Sequence, residues 1–379
     1  MRRFTNKTLS LAVITTILAA ALTACSSAAE PAEDMESSSA VIEERTSDSV
    51  EELASDDGET GSEETAAGDD SADEQGTFPI TVSHALGETV IEEEPRKVVT
   101  IGWGNLDVPL ALGVAPVGVS KATYGLTEDN GLFSWTNNAF AELGVTEANV
   151  MDDTDGLDLE AINNAEPDLI LAVYSGISQE DYEALSEIAP TVPYSKEAWA
   201  TSWQDMTREG GRALGLEAEA DKLVEDLEAM IDSKKAAYPD IEGKTGAYCY
   251  FDTSNLGSFY VYMPKDPRAA YLEDLGLELP DNIRDLDDGS FFFMTVSAEN
   301  IDVLDDLDVL VAWGEEDTLD VLRADPLMSR IPAVERGSVV FLSNNSELIA
   351  ASCTPTPLSI PATIDEYLEK INTAVAAAE

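Results

Sequence analysis

Apolar residues along most of this chain fall into two alternating patterns. Short runs rich in β-branched residues, "KVVTIG" (Lys97–Gly102), "PVGVS" (Pro116–Ser120), "DLILAV" (Asp168–Val173) and "TVPYS" (Thr191–Ser195), are separated by stretches of helical character. A second set follows: "KTGAYCYF" (Lys244–Phe251), "DVLVAW" (Asp308–Trp313) and "SVVFLS" (Ser338–Ser343). Strand-like runs alternating with helical segments predict parallel α/β layers. Between the sets lies "EAEADKLVEDLEAMIDSKKAAYPD", free of glycine and of proline until Pro239. Its apolar positions Leu223, Leu227, Met230 and Ile231 recur close to helical spacing, which predicts one long helix between two α/β sets. A helix as the only connection implies lobes that cannot swing far apart.

A faint internal repeat relates the two sets. "DLEAINNAEPDLILAV" in the first matches "SAENIDVLDDLDVLVAW" in the second. Each has a capping residue (Asp158, Ser297), then a glutamate (Glu160, Glu299), then an isoleucine (Ile162, Ile301), and runs into a strand opened by aspartate (Asp168, Asp308). Helix-start chemistry explains why acids and caps occur there. It does not explain why two lobes place a glutamate at the same point.

The N-terminal pattern is different. Arg2, Arg3 and Lys7 precede an uncharged 16-residue segment, Leu9–Ala24, shorter than the roughly 20 residues of a spanning helix. A basic start, a short apolar middle and small residues before a break describe a secretory signal peptide, and no arginine or lysine directly follows as a stop-transfer signal. Residues 26–77 then hold 18 acidic residues and one basic residue, Arg45, with too little apolar content to form a core. This composition predicts a disordered, self-repelling tether.

The remaining body, residues 78–379, has 57 acidic and 17 basic residues, a net charge of −40. That excludes nucleic acid and an anionic membrane surface as its partners. At 302 residues it exceeds the size at which single cores divide, so two domains are expected. Its cysteines, Cys249 and Cys353, are either paired in an oxidising compartment or two free, buried thiols.

Two resemblances make these patterns specific. Leu22-Thr23-Ala24-Cys25 resembles the lipobox of bacterial lipoproteins. That resemblance implies cleavage before Cys25, acylation of its sulfur, and a chain held to the outer face of the cell membrane by lipid. The body resembles the substrate-binding proteins of bacterial ABC importers for iron-siderophores and vitamin B12. "PRKVVTIGWGNLDVPLALGVAPVGV", "LEAINNAEPDLILAVYSGISQEDYEALSEIAPTVPY", "FYVYMPKDPRAAYLEDLGLELP", "VSAENIDVLDDLDVLVAW" and "CTPTPLSIPATIDEYL" resemble its segments, in order, over nearly the whole body. The resemblance implies an α/β fold of two Rossmann-like lobes joined by a single long helix, with ligand in the cleft. The implied organisation is a signal peptide at 1–24, the lipidated cysteine and tether at 25–77, an N-terminal lobe at 78–216, a connecting helix at 217–239 and a C-terminal lobe at 240–379. It also implies that Glu160 and Glu299, one per lobe, meet arginines of the permease, which works with its ATPase.

Ligands of such folds meet the loops at the carboxyl ends of strands. The candidates there are Trp103, Asn105, Tyr124 and Tyr174 after the first strands, Trp199 and Trp203 from "KEAWATSWQD", and Asn255, Tyr260 and Tyr262 in the second lobe. Aromatic rings with polar tips suit a large, partly apolar chelate. The run Phe291–Phe293 reads as core. Bare metal capture is disfavoured, because the only histidine, His84, precedes the first strand and Zn²⁺ or Mn²⁺ sites recruit histidines or thiolates. Iron is then expected already wrapped in a ferric siderophore, as ligand and not as a resident cofactor. Few basic residues fall near the cleft loops, namely Lys121, Lys196, Lys265, Arg268 and Arg284. Anionic catecholates want clustered arginine or lysine, so a neutral or cationic hydroxamate complex is expected. A haem- or cobalamin-binding lipoprotein of the same fold is the alternative.

An enzyme is not expected. "GWGNLD" half-matches a dinucleotide fingerprint but ends on Asp107 instead of glycine. A serine hydrolase would have only His84 to use, and no G-x-S-x-G stretch occurs.

Overall fold

Two sheets organise the described residues, 76–289 and 291–378, in a computed structural model of the chain. The signal segment, Cys25 and the acidic stretch as far as residue 75 lie outside the described residues. A hairpin of β1 (Ile80–His84) and β2 (Gly87–Ile91) comes first. The first sheet contains β3 (Val98–Thr100), β4 (Gly118–Ser120), β5 (Val150–Met151), β6 (Leu169–Ala172) and β7 (Thr191–Pro193). Its order is β5-β4-β3-β6-β7, with every neighbouring pair parallel. Both faces are covered, as parallel strands require. Val98, Leu169 and Leu171 enter one core, and Val99, Ile170 and Ala172 enter the other.

The second sheet contains β8 (Lys244–Tyr250), β9 (Ser258–Tyr262), β10 (Leu277–Glu278), β11 (Phe293–Ser297), β12 (Val309–Trp313) and β13 (Val339–Leu342). Its main path is β11-β9-β8-β12-β13, and β10 pairs with β8. It departs from the expected parallel layer, because β9 runs antiparallel to both β8 and β11. The short connection between β8 and β9 permits a hairpin, whereas a parallel neighbour would need a crossover. Successive residues of β8 face opposite layers. Tyr248 packs in the same core as Cys353, and Cys249 packs in the other. Both thiols are free and buried.

The helix Glu217–Lys235 lies in sequence between the sheets. Its buried positions are Ala220, Val224, Leu227 and Ile231, with Leu223 and Met230 partly buried at the flanks. Acids fill its first turn and Lys234 and Lys235 its last, matching the helix dipole. It stops short of Pro239, whose ring disfavours helical geometry at the residue before it. Helix Trp203–Ala213 packs against it so closely that a Cβ on Gly211 would stand 2.2 Å from Ala220 Cβ.

The internal repeat is visible as matched anchorage. Asp168, just before β6, accepts from Arg96 N and Lys97 N at 2.9 and 2.8 Å, at the entry to β3. Asp308, just before β12, accepts from Thr245 N at 3.0 Å in β8. Preceding them are helix Leu159–Asn164, capped by Asp158 at 2.9 Å from Ala161 N, and the 3₁₀ segment Ala298–Leu304, capped by Ser297. Glu160 and Glu299 sit in the first turns of these two segments, both exposed.

His84 does not precede the first strand as expected. It ends β1, buried, with Nε2 3.0 Å from Thr89 Oγ1. The alternation "ITVSH…GETVI" is a hairpin signal, weaker than the longer apolar runs of the two sheets.

Candidate functional site

Loops at the carboxyl ends of the first-sheet strands, together with residues of the second-sheet strands themselves, bring aromatic rings into one continuous series. From the first sheet, Trp103 follows β3, Tyr124 follows β4, and Tyr174 follows β6. Trp103 lies 5.3 Å from both Tyr124 and Trp199, measured between ring centroids, and Tyr174 lies 5.5 Å from Trp199. Tyr124 then reaches Trp313 of β12 at 5.7 Å. The series continues through Tyr250, Tyr260, Phe293 and Tyr262 in the second sheet, at 5.9, 5.7, 4.8 and 6.1 Å between successive members. Offset and edge-on rings at these separations attract one another and present wide, amphipathic surfaces.

Backbone conformation positions the first members. Gly102 and Gly104 adopt φ of +79° and +74°, which L side chains resist. Trp199 itself has φ +61°, a strained state for a bulky residue and one tolerated where the surroundings hold it. Its backbone N–H donates to Ser175 O, and its indole edge lies flat on Gly176. A Cβ on Gly176 would stand 2.1 Å from Trp199 Nε1, yet Gly176 has no positive φ. Gly176→Ala is therefore expected to fold normally while displacing the indole. Titration of the variant should show at least about a tenfold loss of ligand affinity, with little change in melting temperature; unchanged affinity would remove Trp199 from the site.

One cation stands among these rings. Arg268, in the first turn of helix Pro267–Asp274, carries its guanidinium carbon 4.4 Å from the Tyr262 centroid, a cation–π contact. Its Nη1 donates to Asp266 Oδ2 at 2.7 Å, and its backbone N donates to Asp266 Oδ1 at 2.8 Å. Both side chains are buried, and Arg268 Nε has no partner. Burial pushes the Asp266 carboxyl up to about 6, against the pull of Arg268. Burial works against the charged guanidinium, yet Asp266 and the nearby phenols hold its pKa well above the usual value. Burial likewise raises the hydroxyls of Tyr124, Tyr174 and Tyr262, so all three stay protonated as donors. The arrangement offers apolar faces, phenolic donors and one free guanidinium N–H, with the charge of the arginine cancelled by its aspartate.

Of the residues expected here, Trp103, Tyr124, Tyr174, Trp199, Tyr260 and Tyr262 join the series. Asn105 does not offer its amide to a ligand. Its Nδ2 donates to Ile101 O and Tyr174 O, and its Oδ1 accepts from Tyr174 N, so it pins the β3 and β6 loops together. Trp203 is buried at the joint with helix Pro267–Asp274, its indole N–H donating to Asp274 at 2.9 Å. Asn255 is exposed in the turn between β8 and β9. The Phe291–Phe293 run divides: Phe292 is buried, Phe293 enters the series, and Phe291 is exposed. Trp313 and Tyr250, the last residues of β12 and β8, join the series without having been expected there. Of the basic candidates, Lys121, Lys265 and Arg284 pair with Asp152, Glu197 and Glu273, and Lys196 is exposed, while Arg268 packs on a ring of the series. Among the described residues, no group of three or more His, Cys, Asp or Glu side chains is placed to hold a metal ion.

Comparison with known proteins identifies the family. A sequence profile of the family described as periplasmic binding protein matches residues 98–345. PiaA of Streptococcus pneumoniae TIGR4, solved in complex with ferrichrome, superposes with a TM-score of 0.76 at 43% identity, covering 79% of this chain and 100% of that one. The probable siderophore-binding lipoprotein YfiY of Bacillus subtilis (strain 168) is 29% identical over 236 residues. The match spans 59% of this chain and 66% of YfiY, just under two thirds of its length. The petrobactin-binding protein YclQ of the same organism is 23% identical over 315 residues, 82% of this chain and 94% of YclQ.

Proposed function

Because this chain belongs to the periplasmic binding protein family, we propose that it is the substrate-binding component of an ABC importer for ferric siderophores. Its cargo is a hydroxamate complex, held between the two aromatic walls and delivered to a permease driven by its ATPase. The carrying observation is the pairing of Arg268 with Asp266 inside the ring series. A ferric tris-hydroxamate such as ferrichrome is neutral, and a chamber whose one cation is already paired has no net charge to offset a trianionic catecholate. The phenols and the unpartnered Arg268 Nε supply donors for the hydroxamate oxygens. PiaA, the relative solved with ferrichrome, supports the same ligand class.

Cys25 anchors the chain by its acyl groups at the outer face of the cell membrane, and Glu160 and Glu299 meet the permease. The naming of YfiY as a lipoprotein supports the anchor. Trp103, Trp199 and Trp313 stand in the ring series, so intrinsic fluorescence reports occupancy. Ferrichrome or ferrioxamine should quench it with saturable, tight binding, and a ferric tris-catecholate should bind weakly or not at all. The reverse order would overturn the hydroxamate reading. A Soret band or a corrin spectrum in protein purified from iron-limited cells would replace it with haem or cobalamin.

A further inference from the structure

One segment of the second lobe is wedged between two loops of the first. A Cβ on Gly104 would lie 2.8 Å from Thr354 Cγ2 and 2.9 Å from Thr356 Cγ2. A Cβ on Gly125, next to Tyr124, would lie 2.8 Å from Ile349 Cγ2. Both glycines have positive φ, so the first lobe meets this segment with bare backbone at both points. Trp135 of the first lobe packs with Ala350 and Ala351 of the second, and Tyr124 and Phe133 lie against them.

A carboxylate crosses the boundary on either side of this contact. Asp107, buried in the first lobe, accepts from Trp135 Nε1 at 3.0 Å and Thr136 Oγ1 at 3.1 Å within its own lobe. It also accepts from Thr356 Oγ1 of the second lobe at 2.5 Å. Glu347 of the second lobe reaches the other way. Its Oε1 accepts from Ser134 N at 2.8 Å and Thr127 Oγ1 at 2.9 Å, and its Oε2 accepts from Ser134 Oγ. Ser134 begins helix Ser134–Glu142, whose own N-cap position is Phe133, a residue with no capping side chain. The start of a first-lobe helix is thus capped by the second lobe. Between these two points runs the loop that carries Tyr124. Neither Asp107 nor Glu347 belongs to the ring series.

We propose that Asp107 and Glu347 are positioning residues, two clasps completed only when the second lobe is seated on the first, which fix the Tyr124 loop over the ligand and slow its escape. This deepens the proposed function and rests on it. Clasps that form after the ligand is enclosed act on departure more than on encounter. The Asp107 bond is buried and the Glu347 contacts are exposed, so the former is the stronger of the two.

Stopped-flow fluorescence with ferrichrome tests the proposal. Glu347→Ala should raise the dissociation rate about fivefold and Thr356→Val about tenfold, with association rates within about twofold of the unsubstituted chain. Thr356 Oγ1 also accepts from Ser359 N at 2.9 Å and so helps to start helix Ser359–Ala378. Thr356→Val should therefore lower the melting temperature, and Thr356→Ser, which keeps the hydroxyl, should restore both melting temperature and slow dissociation. Independently of any ligand, Glu347→Ala should speed hydrogen exchange at the Ser134 amide in the opposite lobe. Unchanged dissociation and unchanged exchange overturn the clasps while leaving the functional reading intact. Failure of the unsubstituted chain to bind ferrichrome overturns that reading and the clasps' role in retention together.

Discussion

Arg268→Met is expected to cost this protein both its ligand and much of its stability, and adding Asp266→Asn should return only the stability. Removing the guanidinium leaves a fully buried carboxylate without its partner, which costs about 3–5 kcal/mol for pairs of this kind. Denaturant melts of the single variant should show that loss. The double variant should recover to within about 1 kcal/mol, because asparagine removes the charge and can still cap helix Pro267–Asp274. Affinity for ferrichrome should fall roughly 10- to 100-fold in both forms, the worth of a hydrogen bond from a charged donor. Tight binding by the double variant would show that the guanidinium touches no ligand.

The same pair gives the single variant a pH dependence of definite sign. Asp266 in the intact protein titrates at about 6, above its ordinary 3.8. A carboxyl raised in the folded state penalises folding in full above its folded pKa, and the penalty shrinks as pH falls from there to the ordinary value. Without Arg268 the penalty grows and the folded pKa rises further. Arg268→Met should accordingly regain stability as pH falls from about 7 to about 4, whereas the double variant should not.

The second large effect concerns delivery rather than capture. Glu160→Arg combined with Glu299→Arg should abolish siderophore uptake by cells while the purified chain keeps its affinity. Both glutamates are exposed on the first turns of short helical segments, outside the ring series. Charges at the rim of a docking surface steer approach and fix register, so reversing both converts attraction to repulsion at two points. Cys25→Ala should do the complementary thing, releasing the chain from the membrane fraction with ligand binding intact. Normal uptake by the double glutamate variant would send the search for the docking surface elsewhere.

The seven strand runs recognised in the sequence all appear as strands, slightly shorter at one or both ends, because buried β-branched runs leave few alternatives. The hairpin at 80–91 and β11 were not legible, since half-polar edge strands carry a weaker pattern. The mixed sheet was missed with them because the interior strand β9, an apolar run, was not read as the antiparallel neighbour of β8. In the candidate site, Trp103, Tyr124 and Tyr174 follow from one rule, that rings at the carboxyl ends of parallel strands face the cleft. The same rule, carried on to Tyr250 and Trp313, would have found the other wall. Asn105 and Trp203 show the limit of reading by residue type: each looks like a ligand contact until its hydrogen-bond partners are known, and Tyr174 and Asp274 are far away in sequence. Arg268 stood among five basic residues, and only burial separates it from lysines and arginines that have surface acids to pair with.

The cancellation of Arg268 by Asp266 also bears on where this protein can work. A neutral chelate entering a neutral chamber gains nothing from long-range attraction and loses nothing to the −54 formal charge of the chain. Dissolved salt shortens the reach of charges to about 10 Å at 0.1 M and about 3 Å at 1 M, but here there is no such attraction for it to screen. Capture should be equally tight in fresh water and in brine, leaving the acidic exterior free to serve solubility and docking.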